Sequence, residues 1–239
     1  MGDCDGYCRF RISAIFSKEN GLSSGATMKI GRGLACCVVA ATLPTWAQDR
    51  SETLEGTSRV HFQALESRGA LIGCSVVFSG AVTDTTYERG DVVAITGSVA
   101  VYVVGEGSTK RLAPSFKFGV HKLTAAGLVP TKVPDFVYAK TSGGSLSRSI
   151  LASEESDTKG MRRVALDFDA ATVGLLRDVG QAKTVSFAYS RGTGGLDMVV
   201  PVDFAVVDST FVGEKIVRQR DPREGQAFDR CVSQLIGKK

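Results

Sequence analysis

Residues 70–104, ALIGCSVVFSGAVTDTTYERGDVVAITGSVAVYVV, decide the fold class. Two runs rich in Val, Ile, Ala and aromatic residues, Ala70–Val82 and Val92–Val104, flank the polar turn Glu88-Arg89-Gly90-Asp91. β-Branched side chains lose rotamer freedom in a helix and pack well on a pleated surface, so each run reads as a strand. A turn-forming cluster between two such runs predicts an antiparallel hairpin. Gly97, inside the second run, is expected to mark a bulge or bend.

The same pattern continues in both directions. Val60–Leu65 alternates apolar and mixed residues, and Gly105-Glu106-Gly107-Ser108 makes a second hairpin-like connection. In Ser115–Leu123, Phe116, Phe118, Val120 and the less apolar Lys122 share one face, with Lys117, Gly119 and His121 on the other. Val133–Ala139 and Arg162–Phe168 are further strands. Lys183–Ser190 and Leu196–Val207 form a hairpin around Arg191-Gly192-Thr193-Gly194-Gly195.

Two segments carry a helical period. Asp169 precedes Val173, Leu175, Leu176 and Val179 as an N-cap, and Gly180 ends that helix. Glu224–Ile236 places Phe228, Val232, Leu235 and Ile236 at helical spacing. Residues 141–159 read as a long surface loop with a short strand near Ser149–Leu151. The expected fold is mainly β: a single antiparallel β-sandwich or open barrel of about eight strands with two short helices, spanning residues 48–239. No repeat of fixed period is visible.

Composition narrows the function. The 239 residues are 43% hydrophobic and 23% charged, with net charge +4, which excludes a disordered chain and disfavours an electrostatic nucleic-acid binder. Six Cys are too few for a disulfide-dense scaffold, and two His leave little for a His-rich metal site. No cofactor, metal site or nucleic-acid partner is expected.

Residues 28–47, MKIGRGLACCVVAATLPTWA, have a secretory signal pattern: Lys29 and Arg32, an uncharged apolar run from Gly33 to Leu43, then small residues before Ala47. The run is shorter than the roughly 20 residues that span a bilayer. A lipoprotein anchor at Cys36 is disfavoured because Gly33 stands where an aliphatic residue is needed. Residues 1–27 then read as an over-extended start, with translation beginning at Met28. Cys4 and Cys8 have no second pair of ligands nearby. The expected localisation is periplasmic or secreted, with no transmembrane segment after cleavage.

Cleavage after Ala47 leaves two cysteines, Cys74 in an early strand and Cys231 in the terminal helix. An oxidising compartment favours pairing them, and the bond would tie the two ends of the domain together.

Candidate chemistry is sparse. Asp84-Thr85-Thr86 lacks the glycine of an aspartic-protease turn, and a strand-end turn explains it. Asp167 and Asp169 could form a carboxylate pair, but a helix cap accounts for Asp169. Ser142 or Ser145 could be combined with a histidine and an aspartate, yet no Gly-x-Ser-x-Gly elbow is present. Gly192-Thr193-Gly194-Gly195 joins two strands and leads into no phosphate-binding helix. Lys215, Arg218, Arg220 and Arg223, interleaved with Asp221 and Glu224, form an expected interaction face for an acidic partner or lipid headgroups, against the simpler reading of a solvated surface.

One arrangement carries a resemblance. Leu175-Leu176-Arg177-Asp178-Val179-Gly180-Gln181-Ala182-Lys183, a strand, a Gly-rich turn, a strand with Pro201, and a helix bearing Phe228 and Cys231 follow in order. This order resembles the C-terminal half of small exported bacterial β-sandwich proteins of the invasion-associated locus B type. The resemblance covers residues 175–239 and implies a β-sandwich in an exported protein; it implies no catalytic residues.

The expected function is therefore an exported, periplasmic binding or structural module of the cell envelope, without a catalytic centre and with an envelope protein as partner. Two alternatives are an envelope hydrolase using Asp84, His61 or His121, and a carrier holding a small apolar ligand in a barrel cavity.

Overall fold

Val60, Val76, Phe78, Ile95, Val99, Phe116, Phe118 and Val120, which share one face of successive strands, are all at most 1% exposed. They form the inner face of a seven-stranded antiparallel sheet in a computed structural model that describes residues 55–105, 109–142, 144–192, 195–213 and 215–237. The signal-like segment and residues 1–27 lie outside the described residues.

Sheet A contains β1 (Gly56–Ser67), β2 (Ala70–Asp84), β3 (Asp91–Val104), β4 (Arg111–Thr124), β5 (Gly127–Pro130), β8 (Ile150–Glu155) and β9 (Met161–Leu166). Its order is β1-β2-β3-β4-β9-β8, with β5 paired to β4. Sheet B contains β6 (Phe136–Thr141), β7 (Gly144–Ser145), β10 (Thr184–Ser190) and β11 (Met198–Asp203), in the order β11-β10-β6-β7. β12 (Val206–Val212) and β13 (Lys215–Arg220) make a separate hairpin.

The two inner faces meet through aromatic rings. Phe187 of sheet B stacks on Phe78 at 5.0 Å between centroids and on Phe118 at 5.7 Å, and meets Phe116 edge-on at 5.6 Å. Phe78 also meets Phe204 edge-on. Rings of this size supply most of the buried apolar area and favour these offset and tilted geometries. The result is a sandwich-like packing of open antiparallel sheets. Among the described residues there are thirteen strands rather than about eight, because several turn-rich segments contain short strands.

Gly97 is not a bulge. β3 stays in unbroken register with β2 and β4 on both sides of it. A Cβ there would sit 2.3 Å from Cζ of Phe78 and 2.6 Å from the Lys117 carbonyl oxygen, so the glycine makes room for the Phe78 ring.

The polar stretch 141–159 carries more strand than the short one expected near Ser149–Leu151. β7, a 3-10 turn (Leu146–Arg148) and β8 lie within it. Its acidic residues Glu154 and Glu155 pair in register with Arg163 and Arg162 of β9, so opposite charges support a ladder that the sequence alone suggested was solvated linker.

Helix α1 (Ala170–Gly180) starts at Asp169, whose side chain accepts a hydrogen bond from the Thr172 amide. Its buried Leu175 and Val179 join the core. Helix α2 (Arg223–Gly237) buries Phe228, Cys231, Val232 and Leu235 against β1 and β2. Both helices fall where the period predicted. The Sγ atoms of Cys74 on β2 and Cys231 on α2 lie at disulfide distance, 2.09 Å.

Candidate functional site

The most densely connected polar group lies at the rim of the sandwich, where β2 ends. Asp84 is fully buried. Its Oδ1 accepts from the amides of Thr86 and Tyr87 at 3.0 and 2.7 Å, which folds the chain into a turn immediately after β2. Its Oδ2 accepts from the Tyr189 hydroxyl on the facing sheet. Burial and this bond to Asp84 push the Tyr189 phenol far above its ordinary range.

Glu88, in the same turn, accepts from Arg191 Nη1 at 2.5 Å and pairs with Lys122 Nζ at 2.8 Å. Lys122 ends the apolar face of β4, which explains its place in that alternating run. Burial alone would raise the Glu88 carboxyl, but the hydrogen bonds and charges of Lys122 and Arg191 outweigh it and hold the group below its usual value. Arg191 Nη2 donates to Thr131 Oγ1 at 2.6 Å. The guanidinium carbon lies 5.5 Å from the Tyr87 ring centroid and 6.0 Å from that of Tyr189, and among the described residues its Nε has no hydrogen-bond partner. Two carboxylates and two cations thus balance, with the acids engaged by donors. The cluster presents no activated nucleophile, and its chemistry is that of a clamp joining the 84–91 turn, β4, the β5–β6 connection and β10.

Further bonds hold Gly192, Leu196 and Asp197 beside that clamp. The Gly192 amide donates to Asp135 at 2.5 Å, Tyr87 donates to the Leu196 carbonyl, and Tyr138 donates to Asp197 at 2.5 Å. The bond to Asp197, with burial, pushes the Tyr138 phenol up to about 12. Between these anchors the Leu196 side chain is 77% exposed. Phe136 and Val199 on the outer face of sheet B are exposed as well. With its own carbonyl bound by Tyr87 and Asp197 bound by Tyr138, Leu196 presents an apolar side chain to solvent.

The residues singled out from sequence are distributed differently from a catalytic set. Strand register puts Asp84 on the inner face of sheet A, while His61 and His121 sit on the outer face, opposite Val77 and Ala94. Each imidazole has its own structural contact. His121 Nε2 lies 2.8 Å from Thr96 Oγ1, and burial lowers its basicity. His61 Nδ1 is 3.5 Å from Glu224, which also accepts from the Phe62 amide. Ser142 is bound to Asp178 through both its hydroxyl and its amide, and Ser145 caps the 3-10 turn. Asp167 accepts from the next amide, Phe168, while Asp169 caps α1 and accepts from Ser149. Among the described residues, no group of three or more His, Cys, Asp or Glu could hold a metal.

The expected basic face divides. Arg218 donates to the backbone carbonyls of Thr57 and Glu55, Arg220 pairs with Asp203, and Arg223 with Asp221. Lys215 lies exposed at the hairpin tip. The space between the sheets, where an apolar ligand would lodge in a carrier, is filled by Phe78, Phe118, Phe187 and Tyr189. A shallow groove of ≈ 200 Å³ lies instead between the two helices, against Phe168, Leu176, Phe228 and Ile236.

Sequence reading recorded Glu88 and Arg191 only as turn residues. Their one signal was a charged residue one or two places after a tyrosine, Tyr87-Glu88 and Tyr189-Ser190-Arg191, which many solvated turns share. Compared with protein-family models, curated proteins and solved structures, the chain matches none of them.

Proposed function

We propose that this chain is an exported binding or structural module of the cell envelope, without a catalytic centre, and that exposed Leu196, Phe136 and Val199 mark its working surface. The observation that carries the reading is the separation of Asp84 from both histidines by the thickness of sheet A, because it leaves acid and base on opposite faces. Proton transfer needs heavy atoms within hydrogen-bond reach. Export is supported by the order of charges, apolar run and small residues in 28–47, and by the cysteine pair at disulfide distance. The exposed Leu196 side chain between bonded neighbours supports a protein partner, since apolar anchors ringed by polar contacts are how such surfaces gain affinity.

The test is affinity capture from envelope extract with wild-type chain and with Leu196→Asp. A stoichiometric partner recovered by the first and lost by the second is expected. Equal recovery by both would move the surface elsewhere, and substrate turnover dependent on His121 would replace the reading with a hydrolase.

A further inference from the structure

The groove between α1 and α2 is lined by two opposite charges that the fold itself does not use. Its floor is Leu176, Phe228 and Val232, all buried, with Phe168 and Ile236 exposed beside them. Arg177 of α1 and Asp229 and Ser233 of α2 line the same groove, and all three are exposed. Among the described residues, neither the Arg177 guanidinium nor the Asp229 carboxylate has a hydrogen-bond or ion-pair partner, and they do not pair with each other. Asp229 is seated against Gly180, where an added Cβ would lie 3.0 Å from its Cβ and 3.3 Å from its Oδ1. Arg177 stands three residues earlier on α1, about one helical turn away. A cation and an anion are therefore neighbours over one apolar floor.

Small-molecule sites combine an apolar lining with a few convergent polar groups. The groove's ≈ 200 Å³ falls below the roughly 300–1,000 Å³ that holds a drug-sized ligand, so the occupant is small. A guanidinium engages a carboxylate through paired N–H donors, and a carboxylate accepts from an ammonium group. A free α-amino acid carries both groups on one carbon and leaves its side chain for the floor. An acyl chain, or an apolar side chain of a folded partner, would fill the floor and leave both charges unused. We propose that the α1–α2 groove binds a free α-amino acid with a large apolar side chain. Its carboxylate meets Arg177, its ammonium meets Asp229, and its side chain lies on Leu176, Phe228 and Val232. Ser233, one turn from Asp229 on α2, adds a hydroxyl at the rim. The site shares no residue with the Leu196 surface and goes beyond the envelope reading, on which it does not depend.

The experiment titrates the full chain, labelled with nitrogen-15, with L-leucine and with L-phenylalanine, and reads the amide shifts of Arg177, Asp229 and Ser233. Three leucine analogues dissect the charges: 4-methylpentanoate lacks the amine, isoamylamine lacks the carboxylate, and N-acetyl-leucine amide lacks both. Saturable binding of leucine or phenylalanine is expected, with the doubly blocked analogue at least ~10-fold weaker than leucine. Arg177→Gln should weaken leucine about tenfold and leave isoamylamine unchanged, while Asp229→Asn should weaken leucine similarly and leave 4-methylpentanoate unchanged. Both substitutions fall on exposed side chains without partners, and unchanged amide shifts in the two sheets report an intact fold. Absence of saturable shifts with both amino acids, or insensitivity of leucine binding to either charge variant, would overturn the inference. So would a blocked analogue that binds as tightly as leucine, which would assign the groove to an apolar side chain of a protein partner. Failure of affinity capture through Leu196 would defeat that surface without changing these titrations.

Discussion

The Tyr189 hydroxyl on sheet B donates to the buried carboxylate of Asp84 on sheet A, a polar bond that joins the two sheets at the rim of an aromatic core. A buried carboxylate that loses a donor bears a desolvation cost of about 1–3 kcal/mol. Tyr189→Phe keeps the ring, which lies 5.7 Å from Phe118, and removes only that donor. Urea denaturation should show a loss of stability within that range. Asp84→Ala, which also orphans the amides of Thr86 and Tyr87, should lose more.

Glu88 gives the fold an acid-sensitive clamp. Its folded carboxyl is held below the ordinary 4.5, so the unfolded chain takes up the proton first. The stabilisation is therefore complete above about 4.5 and disappears as pH falls through the lower, folded value. Glu88→Gln should be less stable than wild type by about 3 kcal/mol at neutral pH, since Arg191 loses its partner while mostly buried. Denaturation midpoints of the two proteins should converge as pH falls below about 4.5.

Gly97→Ala tests the packing directly. The added methyl would meet the Phe78 ring and the Lys117 carbonyl well inside contact distance. Overpacking of this kind costs about 1–3 kcal/mol. A thermal melt showing an unchanged or raised midpoint would contradict the close approach of Phe78 to β3.

The pair Cys74 and Cys231 is separated by 157 residues. Closing so long a loop restricts the unfolded chain by up to about 5 kcal/mol in the chain-entropy account. Replacing both by Ser should lower the urea midpoint markedly under oxidising conditions and make stability insensitive to reductant.

Much of the sandwich was legible because its strands alternate strictly, as in Phe116, Phe118 and Val120, and because Asp169 and Gly180 bracket a helical period. Cys74 and Cys231 were legible as a pair because cleavage would leave no other cysteine. Gly97 was misread because a glycine that admits a ring from the neighbouring strand looks the same in sequence as one that bends its own. Only the start of β8, near Ser149–Leu151, was legible, because the rest of its ladder depends on Arg162 and Arg163, which lie outside the acidic run it belongs to. The hairpin β12–β13 was seen only as a cluster of charges, since the apolar residues that alternate with them remain exposed. The clamp was illegible for a related reason: Asp84, Glu88, Lys122 and Arg191 come from three distant segments, and only the folded sheets bring them together.

The most direct measurement is the N-terminal sequence and thiol state of the chain recovered from fractionated cells. An exported envelope module predicts a periplasmic protein beginning at Gln48, with Cys74 and Cys231 recovered as one linked peptide. An uncut chain in the cytosol, with both thiols free to alkylating reagent, would contradict it.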